Sequence, residues 1–170
     1  FSAVKSWAFS DPDGFQHLVD LIVEATIGHL SRQVEAGAEV LQLFDSWAGV
    51  LPELPYRRWI VEPTKAIVGV LRERHPNIPI IGFPRGSGLL YETYAAEIPN
   101  VAIGLDSTVP LGWARQTLQP RHTVQGNLDP SMLLAGGAAM EAAVERILRI
   151  LGEGPFVFNL GHGVIPQTPP

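Results

Sequence analysis

A chain of 170 residues, 46% hydrophobic and 17% charged, with a slightly positive mean hydropathy, has the material for one substantial core and not for a disordered segment. Its net charge of -5, with Lys and Arg scattered rather than clustered, argues against nucleic acid or an anionic membrane as the main partner. Absence of cysteine excludes disulfides and Cys-ligated zinc, and no run approaches the roughly 18 apolar residues of a membrane span.

The opening stretch FSAVKSWAFSDP begins without Met or a signal-peptide pattern and reads as the tail of a helix. Ser10 or Asp11 then caps a second helix with Pro12 in its first turn, and Phe15, Leu18, Leu21, Ile22, Ala25, Leu30 and Val34 recur at helical spacing as far as Gly37. EVLQLF is a short apolar strand, and a helix from Tyr56 to Arg74 comes next, with Pro63 expected to kink or split it. IPIIGF suits a strand buried on both faces. Leu89 to Glu97 reads as helix, VAIGLD as strand, Leu111 to Leu118 as a short helix and HTVQGN as strand. Helices at Ser131 to Leu134 and Ala138 to Leu151 precede a last strand, FVFNL, and VIPQTPP ends in a loop.

Helices alternating with apolar strands predict parallel βα units in one α/β body without a linker. A flavodoxin-like or Rossmann sheet and part of a (β/α)8 barrel both fit that order. Neither a G-x-G-x-x-G after a strand nor a P-loop is present, which weighs against nucleotide binding. Both chain ends look cut, so the chain is expected to be part of a longer one.

Parallel α/β folds gather ligands at the carboxyl ends of their strands, where helix N-termini and free backbone amides collect. Each strand here finishes in a small loop with one or two polar side chains: Asp45, Ser46 and Trp47 in DSWAG, Arg85 in PRGSG, Asp106-Ser107-Thr108, Asn127 in GNLDP, and His162 in GHG. Structural roles compete for each of them. Asp45 can cap the turn after it, Trp47 can pack or wall a flat ligand, and Asp106 can brace a neighbouring loop. Arg85, its direction fixed by Pro84 and Gly86, suits an anion contact. Asp129 before Pro130 is an N-cap, and Asn127 suits a bond to loop backbone. His162 lies between glycines that permit close ligand approach. Gly86 to Gly88 form a weak phosphate-nest candidate. His17, His29, His75 and His122 have no partner at metal-ligand spacing, and no G-x-S-x-G elbow occurs.

In LQLFDSWAG, IGFPRGSG, GLDSTVPLGWAR, QGNLDPSML and FNLGHGVIPQTPP, order and spacing across essentially the whole chain resemble the uroporphyrinogen decarboxylase family. The resemblance implies the later strands of a truncated, distorted (β/α)8 TIM-like barrel spanning residues 1–170, with the amino-terminal half missing. It implies a cofactor-independent carboxy-lyase, without metal, that removes carbon dioxide from the four acetate arms of uroporphyrinogen to give coproporphyrinogen for haem and chlorophyll synthesis. It also implies a homodimer in the cytoplasm, or a plastid in a photosynthetic eukaryote. Ser46 matches the family's hydroxyl-bearing cleft position, His162 its active-site histidine facing the carboxylate arms, and Arg85 a place where the family has a basic residue. Asp106 and Asn127 fall in family motifs as parts of the site's architecture.

The family's arginine-rich loop, pyrrole-gripping aspartate and upstream tyrosine are absent, so the chain alone is expected to be inactive. Two alternatives stand beside this reading. One is a related barrel methyltransferase of the zinc or corrinoid kind, disfavoured by the lack of cysteine and by FPRG where an H-x-C would sit. The other is a non-catalytic remnant that binds tetrapyrrole or a partner chain.

Overall fold

A computed structural model describes residues 1–169; Pro170, the last residue of the predicted VIPQTPP loop, lies outside the described residues. Five parallel strands form one sheet: β1 (Leu41–Asp45), β2 (Ile80–Pro84), β3 (Ala102–Gly104), β4 (Val124–Leu128) and β5 (Phe156–Leu160). Each pairs with its sequence neighbours, in the order β1-β2-β3-β4-β5. Flavodoxin-like and Rossmann sheets place a later strand beside the first and reverse direction at a switch point, so this order leaves only the barrel alternative. The fold is α/β, a partial (β/α)8 unit.

Helices α1 (Ser2–Ser10) and α2 (Pro12–Glu35) precede the sheet. Asp11 caps α2, its carboxylate accepting from the Gly14 amide at 3.0 Å, with Pro12 in the first turn as its fixed φ favours. Short α3 (Glu53–Tyr56), a π-helical turn (Arg57–Val61) and α4 (Glu62–Arg74) come after β1 as one continuous run. Pro63 does not split this run: the π-helical turn just before it widens the hydrogen-bond register where the proline lacks its N–H. Crossovers are completed by α5 (Leu90–Glu97), α6 (Leu111–Thr117), α7 (Pro130–Ala135) and α8 (Gly137–Leu151).

Period-two alternation sorts the two sheet faces. Leu41, Ile80, Ile103 and Val124 join Leu71, Tyr91, Tyr94, Ala114, Ile147 and Leu151 in the core between sheet and helices. Gly82 belongs to this face because the Tyr94 ring occupies the place of its missing side chain. On the opposite face stand Gln42, Phe44, Phe83, Gly104 and Gln125. Gln125 Nε2 donates to Gln42 Oε1 at 3.3 Å although three strand spacings, about 14 Å when flat, separate β1 from β4. The sheet curls, and this is its concave side. β2, expected to be buried on both faces, is buried along its whole length; the outer strands are not, with Phe44 66% exposed and Val157 and Phe158 also exposed. Both outer strands lack a second partner among the described residues, which leaves their backbone groups open, and on β5 the consecutive Val157 and Phe158, which point to opposite faces, are both exposed.

Adding a methyl group at Gly82 (G82A) should lower stability by about 1–3 kcal/mol through collision with the buried Tyr94 ring. At exposed Gly69 in α4, with open space around it, the same change (G69A) should instead stabilise by about 0.5–1 kcal/mol. Urea midpoints of the two variants should therefore move in opposite directions.

Candidate active site

The loops after β1, β2, β3 and β5 meet at the carboxyl rim. Ser46, Trp47, Arg85, Asp106, Ser107 and Thr108 line a hollow of about 270 Å³. Trp47 is 56% exposed; Phe1 packs on it at 4.6 Å and the Arg85 guanidinium lies 5.9 Å from its ring centroid. The indole is thus a wall of the hollow and not a core residue. The first two loops are laced together: the Arg85 amide donates to the Asp45 carbonyl at 3.0 Å, and the Gly49 amide to the Arg85 carbonyl at 3.1 Å. Gly49 approaches the Gly86 carbonyl so closely that a Cβ would collide with it.

His162 is exposed and lines a second hollow of about 210 Å³ at the mouth of the concave face, with Gln42, Phe44, Phe83, Gln125 and Asn159. Its imidazole stacks on Phe83 at 6.3 Å and 25°. Phe83 can lie there because Gly104 beneath it has no side chain. Ser46 and Arg85 therefore share one hollow and His162 occupies the next. The two adjoin at Ser107, which lines the first hollow while its backbone fills the space a Gly161 side chain would need.

Asp106, 2% exposed, ties these loops together. Its Oδ2 accepts from the Gly86 amide at 2.8 Å and the Tyr91 hydroxyl at 3.0 Å. Its Oδ1 accepts from the Thr108 amide at 2.9 Å and from the Thr108 hydroxyl. Burial opposes its ionisation, yet these donors, led by the Thr108 hydroxyl, hold the carboxyl below its usual range. Asn127 braces the same turn from β4, its Nδ2 donating to the Asp106 and Val109 carbonyls, each at 2.9 Å. Asp129 caps α7 through the Ser131 amide at 2.8 Å.

Asp45 behaves in the opposite way. Burial raises its pKa, and its one hydrogen bond, from the Trp47 amide at 3.3 Å, offsets this only in part. Gly86 to Gly88 do not offer a phosphate nest: the Gly86 amide is taken by Asp106, and the buried Ser87 hydroxyl donates to the Pro84 carbonyl at 2.6 Å. His29 and His122 are held by Gln33 and by the Val101 carbonyl and line neither of these two hollows. No three His, Cys, Asp or Glu side chains cluster for a metal among the described residues.

Comparison with known proteins places this rim in a family. A family model described as uroporphyrinogen decarboxylase (URO-D) matches residues 1–170. The chain belongs to the uroporphyrinogen decarboxylase family. A uroporphyrinogen decarboxylase of Rhodospirillum rubrum is 54% identical over all 170 residues, which cover 49% of that relative. Those of Granulibacter bethesdensis and Rickettsia bellii are 47% and 41% identical, again over 100% of this chain and 50% of the relative. The chain thus spans about half the length of the curated relatives it matches. Phe83, Tyr91 and Gln125 are rim and floor residues that motif reading missed; alternation along β2 and β4 puts Phe83 and Gln125 on one face, whereas nothing local marks Tyr91.

The two carboxyls should leave opposite pH signatures. Asp106, with its folded pKa below the unfolded 3.8, contributes stability that is present above 3.8 and lost as pH falls through the folded value. D106N should therefore be destabilised at pH 7 and lose less of its remaining stability on acidification. Asp45, with its folded pKa above 3.8, costs stability at neutral pH and is relieved on acidification, so D45N should raise the pH 7 urea midpoint.

Proposed function

We propose that the chain forms the later half of an eight-stranded uroporphyrinogen decarboxylase barrel and supplies three substrate-facing groups, Ser46, Arg85 and His162. The single observation that supports this best is their gathering around two adjoining hollows on one rim, in a chain that belongs to this family along its whole length. The substrate in this reading is uroporphyrinogen, an anionic tetrapyrrole.

Loss of carbon dioxide from an acetate arm breaks the bond between its methylene and its carboxylate. The released electron pair needs a sink, which protonation of the pyrrole ring provides. A second proton then reaches the methylene carbon as the ring proton leaves, so each arm consumes one proton net and becomes a methyl group. No metal or organic cofactor enters these steps. Arg85, with a fixed charge and a planar donor fork, holds a carboxylate of an arm that is not reacting. An imidazole can carry a proton or release one, so His162 can hold a carboxylate of the substrate or pass a proton. Ser46 donates a hydroxyl hydrogen bond beside Arg85. The open edges of β1 and β5 and the exposed Phe44, Val157 and Phe158 on them support a missing half that closes the barrel and brings the remaining cations. By itself the chain is inactive in this reading, and the complete protein is a cytoplasmic homodimer.

The test is decarboxylation of uroporphyrinogen, with coproporphyrinogen quantified after oxidation. The chain alone should give no turnover, whereas a chimera carrying it in place of the matching half of the Rhodospirillum rubrum relative should be active. In that chimera H162A should lower kcat/KM by about 100-fold, R85A should raise KM by about tenfold and S46A should cost about tenfold. An inactive but folded chimera would sink the reading, as would stoichiometric zinc required for turnover.

A further inference from the structure

We propose that Asp106 is the positioning residue of the rim, setting the direction of Arg85 through the Gly86 amide and the seat of the His162 loop through Ser107. This deepens the decarboxylase reading and rests on it. A carboxylate offers about four lone-pair sites, and here four donors from the β2 loop, α5 and the β3 loop fill them. Nothing remains for a substrate hydrogen bond. Asp106 therefore acts through other residues, although it borders the hollow.

Its grip has two outputs. Gly86 has φ 76°, a left-handed conformation, and its amide is pinned to Oδ2. The preceding residue, Arg85, is held on its other side by the Asp45 carbonyl, so the guanidinium leaves a backbone fixed at both neighbours. The second output runs through the turn that Oδ1 closes. Thr108 bends back onto the carboxylate, and Ser107, at the apex, presents its backbone to Gly161. Gly161 is also tied to β4, its amide donating to the Leu128 carbonyl at 2.7 Å, and His162 is the next residue. Tyr91 adds a reciprocal bond, its hydroxyl accepting from the Asp106 amide at 3.3 Å while donating to Oδ2. Replacing one carboxylate oxygen by an NH2 group would turn it toward donors and release either Gly86 or the Thr108 turn.

The test uses the complete two-half protein and two readouts. In D106N, kcat/KM for uroporphyrinogen should fall about tenfold, mostly through KM. In the R85A background the same change should cost less than about threefold, because residues acting as one unit are not additive. T108S, which keeps the hydroxyl, should lose clearly less kcat/KM than T108V; T108V should repeat the D106N loss and serves if D106N does not fold. Hydrogen exchange read by mass spectrometry should quicken in peptides covering 85–88, 106–109 and 160–163 and not in the rest of the chain. Full additivity of D106N with R85A, or unchanged exchange in the 85–88 and 160–163 peptides, would overturn the proposal. If R85A alone leaves KM unchanged, Arg85 is not a substrate contact and that part of the functional reading fails, while the exchange data still decide whether Asp106 positions the two loops.

Discussion

Parallel strands that pair in sequence order constrain everything else here. Each connection must cross from the end of one strand to the start of the next, and right-handed crossovers repeated in one direction put every helix on the same face. That face is filled with Leu41, Ile80, Ile103, Val124 and the helix side chains above them. The other face curls inward and keeps amides and aromatics, with Gln42 and Gln125 bonded across it. All strand ends then point to one rim, so loops distant in sequence become neighbours. The proposed site of Ser46, Arg85 and His162 would result from this winding and from nothing local to any of them.

Rim loops without regular structure need another source of rigidity. Close backbone approach supplies part of it: Gly49 against Gly86, Gly161 against Ser107, and Phe83 across Gly104. Each contact works because the glycine has no side chain, and each joins two different βα units. Asp106 supplies the remainder as a buried carboxylate that stays ionised because four donors surround it. Burying an unpaired carboxylate costs several kcal/mol, so the arrangement is held only while all its partners stay in place. The same logic explains why Asp45, half-buried with one long hydrogen bond to its carboxylate, shifts the other way.

An incomplete sheet explains the exposed apolar residues. Phe44 on β1 and Val157 and Phe158 on β5 lie on strands with one partner each. Half-length coverage of the relatives and open edges on the sheet are two independent observations with one geometrical meaning: five parallel strands curl but do not close.

Element order, a cap at Ser10 or Asp11 (the structure uses Asp11), the cap at Asp129, the strand ends and the polar residues just beyond them were legible in the chain, because helical period, strand runs, N-cap chemistry and proline placement are local. Asn127 was also legible as a backbone brace, since its side chain serves a neighbouring turn as asparagines in loops do. Three matters were decided only in three dimensions. Strand order chose the barrel over the flavodoxin-like sheet; Asp106, not a ligand, took the amide of the glycine turn; and Ser46 with Arg85 was separated from His162 by the Ser107 backbone. Each depends on which residues meet across different βα units, and that is set by the curl of the sheet, a property of all five strands together.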